Sequence, residues 1–514
     1  MIKGMISSFA LLCAGTTLAN TSFVHPNEII VSFKNGDQLE SLSSAVVDRK
    51  WITKKVSHIS LAQFLDQDKV IEEIKKDPNV EWVLPNIIYL GNYMESLPTG
   101  GQIPLQYHHR TIGSFDSWTH FQGKQDIIVA VTDDGFFLEH EDMENSWYKN
   151  PNEIPENGID DDQNGYVDDV IGYDFNNDDN DPSSNWDHGT HGTHVAGIIG
   201  ANPRNNLGGA GIAPRVKVMP LKFYGEKSLS SAMYFKAYAY AADNGAKIIN
   251  TSYNIDPLVE DQVYLKAIEY ARSKGLLIFN SAGNTRTLNP KRGSLEQLLL
   301  VASSNEDDRV SSFSNYGEGI DLIAPGEKIY SIVKNNRYGP LSGTSMASPM
   351  AAGVAAYIWS ENPDWSSLEV AHVLLSMTEK IDEKNKSRYQ GNIGSGRLVS
   401  YRDEVSLSSI RNIVWDKKES TVKIFLKGLI VNSKEEIKDA LSLTNRGVDV
   451  DFEIEFKSDV GANVITLKVP EDKGRYQLDI DGSKLENPFF ERLDADEDGR
   501  AGGVRSFLYK IGWF

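Results

Sequence analysis

Between residues 105 and 405 the chain alternates short apolar runs with longer helical patterns, and this alternation most restricts its fold. The runs lack the polar alternation of a half-exposed strand, which is typical of parallel strands buried on both faces. They lie at 127–131, 216–219, 247–249 and 276–279, with helical patterns at 231–243 and 345–359. We therefore predict an α/β domain with a doubly wound, mostly parallel sheet, whose functional residues lie beyond the carboxyl ends of the strands.

Two further segments flank this domain. Residues 20–96 combine a strand-like alternation with an amphipathic helical pattern, which predicts a small α+β unit. From residue 409 onward, short runs alternate at period two between Gly, Asn and Asp turns, as in a β-sandwich. We predict domains at 20–96, 97–406 and 409–514, with strands of the last at 421–426, 449–456, 464–469 and 476–480.

The first residues have the pattern of a secretory signal peptide. Lys3 precedes an apolar run at 5–12, and small residues follow as far as Ala19, which predicts cleavage after residue 19. No apolar run reaches 18 residues, so we expect no membrane span. The signal pattern predicts a secreted protein, extracellular or periplasmic. The single cysteine, Cys13, lies in the signal; a lipid-anchor site there is an alternative, although Leu12 precedes it instead of a small residue.

The charge of the chain argues against nucleic-acid binding. It has 52 Lys and Arg against 72 Asp and Glu, a formal net charge of −20 over 514 residues. Such a surface repels phosphate backbones, and no basic cluster offsets the repulsion. Binding of cations is a better match to this composition.

Four polar side chains follow predicted strands or precede predicted helices. Asp133 comes just after the run at 127–131, and His191 lies in a Gly/Thr turn before an apolar helical run. Ser345 lies in a Gly-Thr turn before a helix of small residues, and Asn284 follows a strand. Taken singly, each residue is more commonly a turn, cap or hydrogen-bonding residue. Together they supply the hydroxyl, imidazole, carboxylate and amide donor that nucleophilic acyl transfer needs.

The sequence around these residues resembles the subtilisin-like serine peptidases, or subtilases. Residues 129–135 read VAVTDDG, residues 191–197 read HGTHVAG and residues 343–349 read GTSMASP, in the order of the family's Asp, His and Ser motifs. Residues 282–284 read AGN, similar to the family's oxyanion motif. The resemblance covers about 105–405 and implies a subtilisin-like fold and serine endopeptidase activity.

The resemblance also implies a role for each matching residue. Ser345 corresponds to the nucleophile, His191 to the general base, Asp133 to its orienting carboxylate and Asn284 to the oxyanion donor. The repeated His-Gly-Thr leaves His188 as an alternative base.

The substrate-binding positions depart from the family pattern. Ser252, Tyr253 and Asn254 stand where the family has Ser-Leu-Gly, and the added side chain of Asn254 argues against acceptance of large substrate residues. Asp134 replaces the usual Ser or Thr, as in the kexin-like branch, where this acid helps to recognise basic substrate residues. A preference for basic residues is therefore one hypothesis.

Residues 20–96 resemble the inhibitory propeptides of secreted subtilases. The resemblance implies a precursor that cuts itself between about residues 90 and 106, with the propeptide as intramolecular inhibitor and proteins or peptides as substrates. We expect the mature enzyme to be a monomer. Two alternatives remain: a catalytically silent binding protein with a subtilase fold, and an enzyme that cuts only its own propeptide.

The segment 153–187 predicts a calcium site. It holds 12 acidic residues and no Lys or Arg, a density that favours bound cations. Oxygen-bearing residues alternate as in the first half of an EF-hand loop, but Ile171 occupies the twelfth position, so this is not an EF-hand. A similar run near the C-terminus predicts a second site, and a solvated acidic loop is the alternative for both. The candidate ligands are Asp160, Asp162, Asn164, Asp168, Asp169, Asp494, Asp496 and Asp498.

Overall fold

The computed structural model describes residues 21–34, 46–51, 56–61, 67–90, 105–120, 127–184, 189–203, 205, 207–213, 216–224, 230–401, 408–416, 419–456, 464–469, 474–489, 491–496 and 502–511. The chain forms two compact units, Met1–Leu97 and Pro98–Phe514. The predicted signal peptide and residues 91–104, which make up most of the predicted processing region, lie outside the described residues. Within the described part, none of the helices combines the length and apolar character needed to cross a bilayer.

The first unit is a four-stranded antiparallel sheet with one helix. Its strand order is β2-β3-β1-β4, and Ile71 and Ile74 of the helix share a buried core with Ile29, Val31 and Ile59 of the sheet. The predicted strand and amphipathic helix are both present. The elements are β1 (Thr21–Phe33), β2 (Val46–Trp51), β3 (Val56–Leu61), α1 (Gln67–Ile74) and β4 (Val80–Leu90).

The second unit contains a seven-stranded parallel sheet, which confirms the predicted α/β fold. Its order is β11-β10-β9-β8-β5-β7-β6, and its strands are buried because separate cores cover its two faces. The strands are β5 (Ile127–Asp133), β6 (Tyr173–Asp174), β7 (Val216–Lys222), β8 (Ile248–Thr251), β9 (Leu277–Ser281), β10 (Leu299–Ser304) and β11 (Leu322–Pro325). The helices are α2 (Tyr107–Ile112), α3 (Ser114–His120), α4 (Thr190–Gly200), α5 (Ser231–Asp243), α6 (Gln262–Ser273), α7 (Thr344–Glu361) and α8 (Ser367–Ser376), and a hairpin joins β12 (Ile329–Val333) to β13 (Arg337–Leu341).

The C-terminal strands form two antiparallel sheets of four strands each, as a β-sandwich requires. Their orders are β14-β15-β19-β18 and β17-β16-β20-β21. The run at 449–456, predicted as one strand, is divided into two because the chain passes from one sheet to the other within it. The elements are β14 (Ser409–Asp416), β15 (Thr421–Lys427), α9 (Lys434–Asp439), β16 (Leu441–Asn445), β17 (Val448–Asp449), β18 (Glu453–Glu455), β19 (Val464–Lys468), β20 (Gly474–Asp481) and β21 (Val504–Ile511).

The β-sandwich packs directly on helix α8 of the α/β domain. His372 of α8 is fully buried, and its Nδ1 accepts a 3.0 Å hydrogen bond from the backbone N–H of Leu429. Burial lowers the pKa of His372 to about 4, so the ring is neutral and able to accept that bond. The rings of Trp365 and Phe489 pack 5.1 Å apart beside it. The two domains therefore form one body, and α8 in turn packs against α7.

Candidate active site

The four predicted site residues lie where strands end and helices begin, at one edge of the parallel sheet. Asp133 is the last residue of β5, and Asn284 lies three residues beyond the end of β9. His191 is the second residue of α4, and Ser345 is the second residue of α7. First-turn N–H groups have no acceptor within their own helix, so both helices direct free donors and a positive dipole end to this edge.

Asp133 and His191 form a hydrogen-bonded pair. His191 Nδ1 lies 2.8 Å from Asp133 Oδ1, which also accepts a 2.8 Å bond from the backbone N–H of Asp134. The Asp133 side chain is 5% exposed and the His191 side chain 34% exposed, so the carboxylate is enclosed while the imidazole reaches solvent. Burial lowers the pKa of His191, but the charge and hydrogen bond of Asp133, with the charge of Asp134, raise it to about 9. Because Nδ1 keeps its proton in the bond to Asp133, Nε2 is the basic nitrogen of the neutral ring.

Ser345 and Ser252 are linked by two reciprocal hydrogen bonds. The Ser345 hydroxyl donates to the carbonyl of Ser252 at 3.0 Å, and the Ser252 hydroxyl donates to the carbonyl of Ser345, also at 3.0 Å. Ser345 is half-buried at the start of its helix, whereas Ser252 is buried. These bonds fix the segment after β8 against the first turn of α7.

The Asn284 side chain is oriented by Thr344, the residue before Ser345. Asn284 Oδ1 accepts bonds from both the backbone N–H and the hydroxyl of Thr344, each 2.9 Å long. The Thr344 hydroxyl accepts in turn from the N–H of Gly283 at 3.0 Å. Because the oxygen of the amide is held, its NH₂ group is left as a donor on the exposed side. Sequence reasoning did not assign this positioning role to Thr344, although the residue lies inside the quoted Ser motif.

The predicted substrate-binding segment lies beside Ser345, but its side chains point in different directions. The Tyr253 ring packs against Phe223, with centroids 4.5 Å apart, and its hydroxyl accepts from Thr132 Oγ1 at 3.3 Å. Asn254 is exposed. Tyr253 thus joins an aromatic cluster of the core, and Asn254 is the side chain that this segment offers to solvent.

Asp134 bonds to the helix that carries His191. Its Oδ1 accepts from the backbone N–H of Gly192 at 2.9 Å, which satisfies one of the free donors of the first turn of α4. Burial and the neighbouring charge of Asp133 raise the pKa of Asp134. The carboxylate therefore stabilises the start of α4; recognition of basic substrate residues by Asp134 stays a prediction.

The acidic segment brings three carboxylates together. Oxygens of Glu153, Asp160 and Asp162 lie within 4.8 Å of one another. Glu153 Oε2 is buried and has no hydrogen-bond partner among the described residues, while its Oε1 accepts from the N–H groups of Asp161 and Asp162. An enclosed carboxylate oxygen without a donor, facing two further carboxylates, matches the oxygen ligands that calcium prefers. Sequence reasoning missed Glu153, because it precedes the EF-hand-like run by seven residues.

Asp168 and Asp169, which were also predicted as ligands, accept hydrogen bonds from neighbouring parts of the protein. Both oxygens of Asp168 accept backbone N–H groups, from Asn157 at 3.0 Å and Gly158 at 2.9 Å. Asp169 accepts from the Tyr240 hydroxyl at 2.6 Å and from the amide of Asn164 at 2.9 Å. These residues anchor the loop around the three carboxylates.

Two further predictions fall partly outside the described residues. In the C-terminal acidic run, Asp494 is buried and Asp496 exposed, and among described residues neither belongs to a group of three acidic side chains. Asp498 lies outside the described residues, as does the alternative base His188. The second calcium site therefore stays a prediction.

Comparisons with known proteins relate this chain to serine peptidases. A protein-family model described as the subtilase family matches residues 124–393, a span that contains all four site residues. A thermophilic serine proteinase of Bacillus sp. (strain AK1) is 30% identical over 388 residues, covering 73% of this chain and 87% of the relative. Thermitase of Thermoactinomyces vulgaris is 32% identical over 234 residues, covering 45% of this chain and 81% of its own length. A solved protease structure from Pseudoalteromonas arctica is 25% identical with a TM-score of 0.47, covering 59% of this chain and 98% of that one.

Proposed function

Because this chain belongs to the subtilase family and is a serine-type peptidase, we propose that it is a secreted endopeptidase that cuts proteins and its own precursor. The observation that carries the proposal is the 2.8 Å bond between His191 and Asp133 at the sheet edge where the helix of Ser345 begins. The 20–96 unit acts as the inhibitory propeptide and the 409–514 sandwich as a domain docked on the peptidase domain.

Each residue of the site has one task in the proposed reaction. The Ser345 hydroxyl turns from the Ser252 carbonyl to His191, whose Nε2 takes the proton as Oγ bonds to the peptide carbonyl carbon. The carbonyl electron pair moves onto oxygen, where the Asn284 NH₂ group and the Ser345 N–H donate to it. His191 then passes its proton to the leaving amine, and water repeats both steps on the acyl-enzyme to release the acid.

Removal of the Asn284 amide is expected to slow catalysis without weakening substrate binding. The oxyanion exists only in the transition state, so Asn284→Ala should lower kcat by about 10²–10³-fold and leave KM nearly unchanged. Thr344→Val removes only one of the two bonds that orient Asn284 and should cause a smaller loss. Steady-state kinetics on one peptide substrate measures both; an increase confined to KM would contradict the assignment.

The activity is expected to rise toward alkaline pH. The general base must be neutral, and the pKa of His191 is raised to about 9, so kcat/KM should fall as the pH falls through that value. Asp134→Asn removes a charge that raises this pKa but keeps an oxygen for the Gly192 N–H, so the acid limb should move to lower pH. A pH profile of kcat/KM for both proteins is the measurement, and an acid limb below pH 6.5 in the wild type would oppose the prediction.

The acidic segment is proposed to hold calcium. Subtilases commonly bind structural calcium, and the unpartnered Oε2 of Glu153 beside Asp160 and Asp162 fits a hard cation. Bound calcium supplies a cross-link within a loop that lies between the strand of Asp133 and the helix of His191. This cross-link would replace the disulfides that the mature chain lacks.

Self-processing provides the test of the proposed function. Wild-type precursor should yield a new N-terminus between about residues 90 and 106, whereas a Ser345→Ala precursor should remain uncut. Mass spectrometry of both proteins, purified in parallel, identifies the termini. Processing of the purified variant identical to that of the wild type would contradict self-cleavage. Activity of the wild type on an unrelated unfolded protein would exclude an enzyme that cuts only its own propeptide.

A further inference from the structure

Arg292 is a buried guanidinium that bridges the two segments beside Ser345. It is 2% exposed and lies in a short turn after β9. Its Nη1 donates to the carbonyl of Ser281 at 2.7 Å, at the end of β9, and its Nη2 donates to the Asn254 side chain in the segment after β8. One rigid side chain therefore ties the two segments together.

The donors of Arg292 are fully used by the protein. Nε and Nη2 form a bidentate pair with Asp256, at 2.9 and 3.0 Å, and Nη1 also reaches the Tyr253 carbonyl at 3.4 Å. A guanidinium has five N–H groups, and each of them has an acceptor here. Because Arg292 is buried, loss of Asp256 would leave its charge uncompensated, so the guanidinium is held firmly in place.

The bridged segments both carry groups of the proposed catalytic site. In the segment after β8, the Ser252 carbonyl accepts a hydrogen bond from the Ser345 hydroxyl. In the segment after β9, Asn284 is the oxyanion donor of the proposed function. A Cβ atom on Gly283 would lie 3.5 Å from Arg292 Nη2. The edge of the guanidinium therefore faces the backbone of the segment that carries Asn284. The guanidinium thus occupies space between the two segments.

We propose that Arg292, with Asn254, closes the pocket for the substrate residue that acylates Ser345 and restricts it to short uncharged side chains such as Gly, Ala and Ser. This inference rests on the proposed function. An acidic side chain finds no free N–H on Arg292, a basic side chain finds no acceptor on its guanidinium, and a large apolar side chain finds its space occupied.

Matched peptides test the pocket. For substrates that differ only by Ala or Phe at the residue before the cut bond, wild type should favour Ala by about 10-fold or more in kcat/KM. Arg292→Met and Asn254→Gly should each reduce that ratio by about 10-fold, chiefly through faster cleavage of the Phe peptide. Arg286→Met, an exposed arginine nearby, is the control and should leave the ratio unchanged.

The design separates failure of the inference from failure of the proposed function. Asn254 is exposed, so its variant decides the question even if Arg292→Met does not fold. A wild type that reacts with a fluorophosphonate but prefers Phe, Lys, Arg or Glu, or an unchanged ratio in Asn254→Gly, would overturn the pocket assignment alone. A folded wild type that neither reacts nor cleaves would overturn the proposed function, and the inference with it.

Discussion

Replacement of Ser345 by alanine is expected to lower kcat on an unfolded protein substrate by about 10⁶-fold, the loss measured for the triad serine of subtilisin. Without the hydroxyl, His191 has no proton to take and no acyl-enzyme forms. The Asp133–His191 bond and the oriented Asn284 amide do not depend on the hydroxyl. The variant should therefore retain the wild-type fold.

A second serine variant controls for the change of residue type. Ser342 is exposed and lies just before the first turn of α7, where its hydroxyl accepts from the Lys328 N–H at 2.8 Å. Ser342→Ala should keep most of the activity. If Ser345→Ala kept more than about 1% of wild-type kcat after active-site titration had excluded contaminating protease, Ser345 would not be the nucleophile.

Removal of calcium is expected to cause the largest loss of stability. A ligand present at 100 to 1,000 times its Kd stabilises the native state by about 2.7–4.1 kcal/mol. For roughly 300–400 cooperatively unfolding residues the shift is about 1–2 °C per kcal/mol, so EDTA should lower Tm by roughly 3–7 °C. The Ser345→Ala precursor is the protein to use, because autolysis cannot distort its melting curve.

Two glutamates in the same loop make a matched pair for this experiment. Glu153 is buried in the carboxylate cluster, whereas Glu156 is exposed and outside it. Glu153→Gln should abolish most of the EDTA effect and weaken calcium binding in titration calorimetry, whereas Glu156→Gln should behave as the parent. Equal responses of the two variants to EDTA would remove Glu153 from the site.

The strand that carries Asp133 shows how much of the site is predictable from sequence. A continuous apolar run identifies a buried strand, so the prediction at 127–131 nearly coincides with Ile127–Asp133. The topology of parallel sheets predicts functional residues beyond strand ends, and Asn284 lies three residues beyond β9. Local pattern and topology predict where these residues lie, whereas their catalytic roles come from the resemblance and stay predictions.

Residues whose roles depend on distant partners were not predictable in the same way. Arg292 pairs with Asp256, which lies 36 residues earlier, and nothing in its neighbourhood distinguishes it from an exposed arginine. Glu153 joins carboxylates that follow it by seven and nine residues, outside the spacing of an EF-hand loop. The resemblance places Tyr253 in the substrate-binding segment, which stays a prediction; the packing of its ring on Phe223 arises only in the folded core.

Reaction with a fluorophosphonate tests the central assignment most directly, because the probe bonds only to a serine activated by its neighbours. Processed wild-type protein should carry one tag, located by peptide mass spectrometry on Ser345, and His191→Ala should carry none. A folded, processed protein that remains unlabelled, or a tag on a different serine, would contradict the assignment of Ser345, His191 and Asp133 as the catalytic residues.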